Sequence, residues 1–146
     1  MVYEILGSDL ELPRINYRQN GEAYRFVYGT GPRVYGYFLN QLIKLDTKTK
    51  EKKTWYELDC YPSEPVFLER PGAKDEDDGV ILSAVVGTRG HKSFMVVLDA
   101  STFEELARAT IPSRIPQSLH GSFFPSLSYK LDAFHAGRPT RGEEAK

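Results

Sequence analysis

The stretch VILSAVV at residues 80–86 decides how this chain folds. It is apolar except for Ser83, it is rich in β-branched residues, and Gly79 and Gly87 bound it. Short runs of this kind between turn signals are typical of strands, and near-continuous apolar character is typical of a strand buried on both faces. The stretch therefore predicts a β-strand in the core.

Working outward from this stretch, most of the chain has the same short-strand character. The further segments are rich in Val, Ile, Tyr and Phe, and most are bounded by Gly, Pro, Asp or Thr. The only helix candidate is STFEELA at residues 101–107, where Ser101 and Glu104 have the spacing of a capping box, and the alternative is a wide connection between strands. The fold class is predicted to be all-β. The predicted further strands are residues 23–28, 41–46, 53–58, 65–69, 93–99 and 106–111.

An internal repeat appears within these strands. Gly-Thr pairs follow apolar segments at residues 29–30 and 87–88, and Leu-Asp pairs follow at 45–46 and 98–99. The two aspartates are 99 − 46 = 53 residues apart. Several short strands per unit, repeating about every 50 residues, are typical of propeller blades, and a propeller needs at least about four blades. Two units predict an incomplete propeller.

Composition excludes several classes of protein. The 146 residues carry 19 Lys and Arg against 20 Asp and Glu, so the chain lacks the basic face that a nucleic-acid platform needs. No run approaches the roughly 18 apolar residues of a membrane span. The single cysteine, Cys60, excludes a disulfide within the chain and suits a reducing compartment.

His120 is the histidine with the most suggestive context. It lies between Leu119 and Gly121, and Phe123 and Phe124 are expected to shield it from water. An imidazole in such a place is a candidate metal ligand, and a purely structural histidine is the alternative. His91 and His135 lie in polar surroundings, at a predicted exposed hairpin and near the tail.

Two glutamates also have apolar neighbours. Glu64 enters the predicted strand at 65–69, and Glu11 lies between two leucines. A carboxylate is costly to bury without a partner, and accepting the N–H of a metal-bound histidine is one solution. The alternative is that both side chains face solvent. The acidic turn at residues 74–79 is predicted to be a solvated loop.

Seven short motifs of this sequence, in the order in which they occur along the chain, together resemble those of a known family. They resemble the C-terminal end of the carotenoid cleavage oxygenases, in the animal branch of β-carotene dioxygenases and the retinoid isomerohydrolase of the retinal pigment epithelium. The similarity covers roughly residues 8–127. The motifs are LPRINY at 12–17, YG at 28–29, YPSEPVF at 61–67, EDDGVILS at 76–83, VLDA at 97–100, FEELARA at 103–109 and LHG at 119–121.

The resemblance implies a seven-bladed β-propeller with Fe(II) on its axis. Residues 1–127 would be its C-terminal blades, and the polar residues 128–146 a disordered tail. In the family, four histidines bind the iron and three glutamates orient histidines. His120 matches the last histidine, and Glu64 and Glu11 match two of the glutamates. The pairing stays open: each glutamate partners a histidine absent from this sequence or, in one case, His120.

The implied activity is cleavage of a carotenoid or apocarotenoid double bond with O2, giving retinal-type aldehydes. Three histidine ligands and one glutamate of the family have no counterpart here, so the isolated chain is expected to be inactive. The alternative is a truncated, non-catalytic propeller fragment with at most a binding role. The expected partners are a carotenoid or retinoid and O2, without nucleic acid, and with peripheral membrane contact only through parts that this sequence lacks. The expected location is cytoplasmic, with mitochondrial as the alternative.

Overall fold

Antiparallel β-strands make up almost all of the regular structure. The computed structural model describes residues 10–34 and 38–124. One turn of 3-10 helix, Tyr17–Gln19, lies between the first two strands. The all-β prediction is confirmed. The strands are β1 (Glu11–Arg14), β2 (Phe26–Gly31), β3 (Gln41–Asp46), β4 (Lys52–Tyr56), β5 (Cys60–Pro62), β6 (Val66–Glu69), β7 (Gly79–Gly87), β8 (Phe94–Asp99) and β9 (Glu105–Thr110).

The strands form two sheets, each a meander of neighbouring strands. The first sheet has the order β1-β2-β3-β4, and the second has β7, β8 and β9 side by side. Both β5 and β6 pair with the remaining edge of β7, one toward each of its ends. They therefore act as one strand interrupted at residues 63–65. Each sheet is in effect four-stranded and antiparallel throughout.

All seven strands predicted from the sequence are present, with ends that differ by a few residues. The prediction missed β1 and β5, which are short and each contain a proline, Pro13 and Pro62. Because proline cannot donate to the ladder, it weakens the sequence signal for a strand. Both missed strands lie on the outer side of their sheet, where proline is tolerated.

Equivalent turns close the hairpins that follow β3 and β8. In each turn an aspartate, Asp46 or Asp99, accepts hydrogen bonds from the backbone N–H groups two and three residues later, at 2.8–3.1 Å. The residue after these is left-handed in both turns, with φ of 66° at Lys50 and 67° at Phe103. The repeat of 53 residues is therefore a repeat of backbone structure across these hairpins.

Two sequence interpretations near these turns are wrong. Residues 101–107 form no helix, because the Asp99 carboxylate accepts from Ser101 and Thr102 and turns the chain directly into β9. The Gly-Thr pairs are not equivalent either. Gly29 lies inside β2 and Gly87 ends β7, and they are 87 − 29 = 58 residues apart instead of 53.

The core lies between the two sheets. Tyr28 of the first sheet stacks on Phe67 of the second, with ring centroids 5.6 Å apart, and Trp55 meets Phe94 edge-on. In β7 burial alternates: Ile81 is fully buried, whereas residues of the other face are partly exposed. The prediction that β7 is buried on both faces is therefore wrong for the described residues, because only one face packs against the first sheet.

The acidic turn at residues 74–79 joins the sheets, and the prediction of a solvated loop is wrong. Glu76 accepts hydrogen bonds from the backbone N–H of Arg25 and Phe26, at 2.7–2.9 Å. Asp77 pairs with the buried ammonium of Lys44, which lies in β3. The turn thus holds the start of β2 and the middle of β3 against the second sheet.

The predicted disordered tail, residues 128–146, lies outside the described residues. Within residues 10–34 and 38–124, no helix is long and apolar enough to cross a membrane.

Candidate functional site

The interruption between β5 and β6 builds the position of Glu64. Ser63 donates from its backbone N and its hydroxyl to the carbonyl of Ala84, at 2.9 and 2.8 Å, and Ser83 donates to the carbonyl of Ser63. These bonds satisfy the backbone where the strand breaks. Pro65 on the other side is fully buried and fixes the chain direction. As a result Glu64 is held in a buried position, with 5% of its side chain exposed.

Three groups surround the Glu64 carboxylate. His120 Nδ1 lies 3.2 Å from Oε1, and the backbone N–H of Gly121 donates to Oε2 at 3.2 Å. Arg14 Nη2 lies 3.1 Å from Oε2 and also donates to the carbonyl of Gly121 at 2.6 Å. A buried carboxylate needs such partners to offset its desolvation. Glu64 therefore fixes the segment that carries His120 to the second sheet.

Arg14 connects this cluster to the first sheet, because it lies at the end of β1. Its guanidinium carbon lies 5.8 Å from the ring centroid of Tyr17, and its Nε is buried without a hydrogen-bond partner among the described residues. Sequence analysis did not single out Arg14. The available signal was physical: a carboxylate predicted near the core needs a cation close by.

His120 itself is open to solvent, with 76% of its side chain exposed. Phe123 and Phe124 are 49% and 63% exposed, so the expectation that they shield His120 is wrong for the described part of the chain. A small cavity of about 150 Å³ adjoins the imidazole, lined by Val66, Leu82, Met95, His120 and Phe123 among others. One face of the site is thus apolar, and the histidine stands at its rim.

Glu11 is placed differently from Glu64. It is exposed at the start of β1, where the register with β2 shifts between Glu11 and Arg14. Leu12, the next residue, has a left-handed backbone with φ of 52°. Within residues 10–34 and 38–124, no hydrogen bond or ion pair joins Glu11 to His120 or Glu64. The structure therefore brings together two of the three predicted site residues. Of the other two histidines, His91 is exposed after β7 as predicted, and His135 lies outside the described residues.

Comparison with known proteins identifies the family. The model of the RPE65 family, the retinal pigment epithelial membrane proteins, matches residues 3–125. The chain belongs to this family. Human β,β-carotene 15,15'-dioxygenase is 47% identical over 127 residues, which are 86% of this chain and 23% of that protein. A mitochondrial carotenoid-cleaving dioxygenase from Mustela putorius furo is 50% identical over 117 residues, covering 78% of this chain and 21% of that protein.

Solved structures of RPE65-family relatives share the fold. Cobalt-substituted Synechocystis apocarotenoid oxygenase superposes with a TM-score of 0.76 at 30% identity, covering 82% of this chain and 26% of that one. This chain therefore spans about a quarter of the length of the relatives it matches. The resemblance to carotenoid cleavage oxygenases is confirmed.

The donor set suits one corner of a metal site. A carboxylate hydrogen-bonded to one imidazole nitrogen fixes the ring and its tautomer, and leaves the other nitrogen to bind a metal. Glu64 and the Nδ1 atom of His120 have this arrangement. Among the described residues His120 belongs to no group of three metal-ligating side chains. The chain thus fits as a contributor of one ligand with its orienting carboxylate.

Proposed function

We propose that this chain forms the C-terminal blades of an Fe(II)-dependent dioxygenase that cleaves a carotenoid or apocarotenoid double bond with O2. The 3.2 Å contact between Glu64 and His120 Nδ1, in a chain that belongs to the RPE65 family, carries this proposal. The two sheets, formed by the described residues 10–34 and 38–124, would be two blades of a seven-bladed propeller. The products are aldehydes of the retinal type.

In this proposal each residue has a separate task. His120 binds Fe(II) through Nε2, since Nδ1 faces Glu64. The carboxylate of Glu64 raises the basicity of the imidazole and holds its tautomer. Arg14 balances the charge of Glu64 and fixes the carbonyl beside His120. Glu11 orients a histidine that this sequence does not contain. When bound, Fe(II) would supply the activation of O2.

The apolar cavity beside His120 agrees with a long hydrocarbon substrate. Val66, Leu82, Met95 and Phe123 offer apolar atoms next to the imidazole, and Glu64 and His120 are the only ionisable side chains among the described residues that line this cavity. A carotenoid or retinoid is therefore the proposed small-molecule partner together with O2, whereas nucleic acid is not. Peripheral membrane contact would come from parts of the protein beyond this sequence. The proposed location is cytoplasmic, or mitochondrial as in the name of one relative.

A non-catalytic role is the second candidate. One histidine with its glutamate does not hold Fe(II) usefully, and the chain spans about a quarter of its relatives. On its own the 146-residue chain is expected to show no cleavage of β-carotene. As a separate product it would be a propeller fragment with at most a binding role.

The mass of the natural polypeptide distinguishes the two candidates. An antibody raised against residues 64–79 would capture it from source tissue for intact-mass measurement. A mass several times that of this chain supports the dioxygenase, because the missing ligands then have room on the same polypeptide. A mass near that of this chain, or measurable cleavage of β-carotene by the chain alone, would overturn the proposal of a shared iron site.

Variants of such a longer polypeptide test the assigned residues. His120→Ala is expected to abolish iron retention, measured by elemental analysis of the purified protein. Glu64→Gln is expected to weaken iron affinity by about 10–100-fold, the usual effect of losing the partner of a metal-bound histidine. Glu22→Gln is the matched control, since it changes an exposed glutamate outside the site. Full iron content in the His120 variant would contradict the assignment.

A further inference from the structure

A tight turn after β4 brings a carboxylate and a thiol together. In the sequence Glu57-Leu58-Asp59-Cys60 the N–H of Cys60 donates to the carbonyl of Glu57 at 3.3 Å, and Asp59 is left-handed with φ of 57°. The Cys60 sulfur consequently lies 3.6 Å from Glu57 Oε1. Two ligands separated by two residues across a turn are a spacing that metal sites use repeatedly.

The hairpin between β7 and β8 brings a third ligand to this turn. Thr88 donates from its backbone N and its hydroxyl to the carbonyl of Asp59, at 2.9 and 3.0 Å, and Arg89 pairs with the Asp59 carboxylate. These contacts hold the hairpin against the turn. His91, three residues further on, then lies beside Glu57 and Cys60, and one ligand atom from each of the three lies within 4.8 Å of the others.

The charge around this group favours a cation. Glu57 Oε2 accepts from Arg108 at 2.7 Å, and Oε1 accepts a longer hydrogen bond from the same guanidinium, at 3.3 Å, while it also faces the thiol. Arg108 is shared, because it also binds both oxygens of Glu105. One guanidinium therefore faces two carboxylates. The hydrogen bonds from Arg108 thus fix the orientation of the Glu57 carboxylate.

We propose that Glu57, Cys60 and His91 bind a divalent cation of the zinc type, separately from the site at Glu64 and His120. Thiolate, imidazole and carboxylate are the ligands that Zn²⁺ prefers, with water at the fourth position. The cation replaces the thiol proton, which leaves to solvent, and nothing is oxidised or reduced. The bound ion joins the turn after β4 to the hairpin between β7 and β8.

The geometry needs only a small adjustment to bind the ion. Zinc bonds of about 2.0–2.3 Å require ligand atoms somewhat closer together than they are here. His91 is exposed and can supply the movement, whereas Cys60 is fully buried and stays in place. Burial, together with the charge of Glu57, raises the pKa of the Cys60 thiol to about 11.

Titration of the whole 146-residue chain with Co²⁺ tests this site. A thiolate bound to cobalt gives a charge-transfer absorption band, and Cys60 is the only cysteine in the sequence. Any such band therefore reports on Cys60 and not on His120. The expected result is a band that saturates at one cobalt per chain and disappears when Zn²⁺ is added. No band from protein with an intact β-sheet spectrum would overturn the proposal.

Variants distinguish binding of cobalt by the three ligands from binding by the Cys60 thiol alone. His91→Ala and Glu57→Gln are each expected to weaken cobalt binding by about ten-fold or more, since even the outer partners of a metal ligand contribute on this scale. His120→Ala is the matched control and should leave the band unchanged. Cys60→Ser removes the band. Because Cys60 is in the core and its replacement risks unfolding, the variant at the exposed His91 decides: an unchanged affinity there would overturn the proposal.

Discussion

Each of the two sheets has a glutamate at a similar point of its first strand, but one glutamate is exposed and the other is buried. Glu11 and Glu64 are 64 − 11 = 53 residues apart, and both lie where the first strand of a sheet is irregular. Glu11 is exposed, whereas Glu64 is buried among Arg14, His120 and Gly121. The irregularity in the first strand of each sheet thus provides a position for the glutamate. Partners that come from outside that strand decide whether the carboxylate becomes part of a site.

The hairpin turns give a second comparison, in which the same backbone conformation occurs with a different side chain in each sheet. Lys50 and Phe103 have the same left-handed φ after equivalent aspartates. Lys50 is exposed, whereas Phe103 is 5% exposed and stacks on Tyr28 with ring centroids 6.5 Å apart. The backbone strain is shared, and Phe103 offsets it by packing between the sheets.

The largest change in the free energy of unfolding is predicted for replacing these two turn residues with glycine. Phe103→Gly should lower the free energy of unfolding by about 3–5 kcal/mol, because the loss of a core ring outweighs the relief of the backbone. Lys50→Gly should raise it by up to about 1 kcal/mol, because the left-handed conformation is unfavourable for residues with a side chain. Urea unfolding followed by circular dichroism measures both. Equal effects of the two substitutions would show that Phe103 does not anchor the second sheet.

The next prediction concerns Lys44, whose equivalent in the second sheet is Val97, 97 − 44 = 53 residues later. Lys44 pairs with Asp77 and donates to the carbonyls of Ala100 and Ser101 at 2.7 and 3.1 Å. Lys44→Met should cost about 2–3 kcal/mol, because it leaves these buried acceptors without their cation.

Adding Asp77→Ala to the Lys44 variant sharpens this test. In the double variant no unpaired carboxylate remains, so the total loss should be smaller than the sum of the two single losses. Val97→Ala serves as the matched change in the second sheet. Additive losses would mean that the two charges do not interact across the sheets.

Substitution of Glu11 and Glu64 tests whether their different surroundings affect stability. The expected changes in the free energy of unfolding are of intermediate size. Glu64→Gln should lower the free energy of unfolding by about 1–2 kcal/mol, because Arg14 and Gly121 lose a charged acceptor. Glu11→Gln should change it by less than about 0.5 kcal/mol, as is usual for an exposed side chain. Denaturant unfolding of the whole chain gives both values. A larger effect at Glu11 would reverse the ranking that their burial implies.

The smallest predicted effect distinguishes Asp46 from Asp99 by pH and salt. The hydrogen bond from the Arg25 side chain holds the pKa of Asp46 well below its usual value. The pKa of Asp99 is also lowered, and the largest cause is the hydrogen bond from the backbone N–H of Thr102. Because both folded-state pKa values are lowered, their stabilisation is complete above about pH 4 and is lost as the pH falls further.

Acid unfolding at two salt concentrations measures this difference. Asp46→Asn and Asp99→Asn should each flatten the fall of stability with decreasing pH below about pH 4. Added salt should reduce the contribution of Asp46, whose partner Arg25 is a partly exposed charge, and leave that of Asp99 nearly unchanged. The same salt response in both variants would contradict the assigned causes.

The strands and the hairpin repeat could be predicted from the sequence, because both depend on local signals. The segment QLIKLD at residues 41–46 has the apolar content of a strand, and the structure gives β3 the same bounds. The error at residues 101–107 arose because Ser101 and Glu104 imitate a helix cap. Asp99, two residues earlier, makes the competing turn. The role of Asp77 was missed because its partner Lys44 is 33 residues away.

Local context indicated His120 and Glu64 as candidate site residues, but neither that context nor the family resemblance settled which residue partners Glu64. No periodic pattern indicates where residues 111–124 run, because they contain no strand or helix. Their position depends on single contacts, such as the bond from Arg14 to Gly121. The approach of His91 to Cys60 was missed for the same reason, since it requires the register between β5 and β7.

The contacts around the break at residues 63–65 also bear on the order in which the fold forms, because their partners are far apart in the sequence. Every strand pairing among the described residues joins close neighbours along the chain, so the hairpins are expected to form early. The contact between Glu64 and His120 spans 56 residues, and that between Arg14 and Gly121 spans 107. The contacts between Glu64 and the segment that carries His120 are therefore expected to form after the hairpins that position the carboxylate.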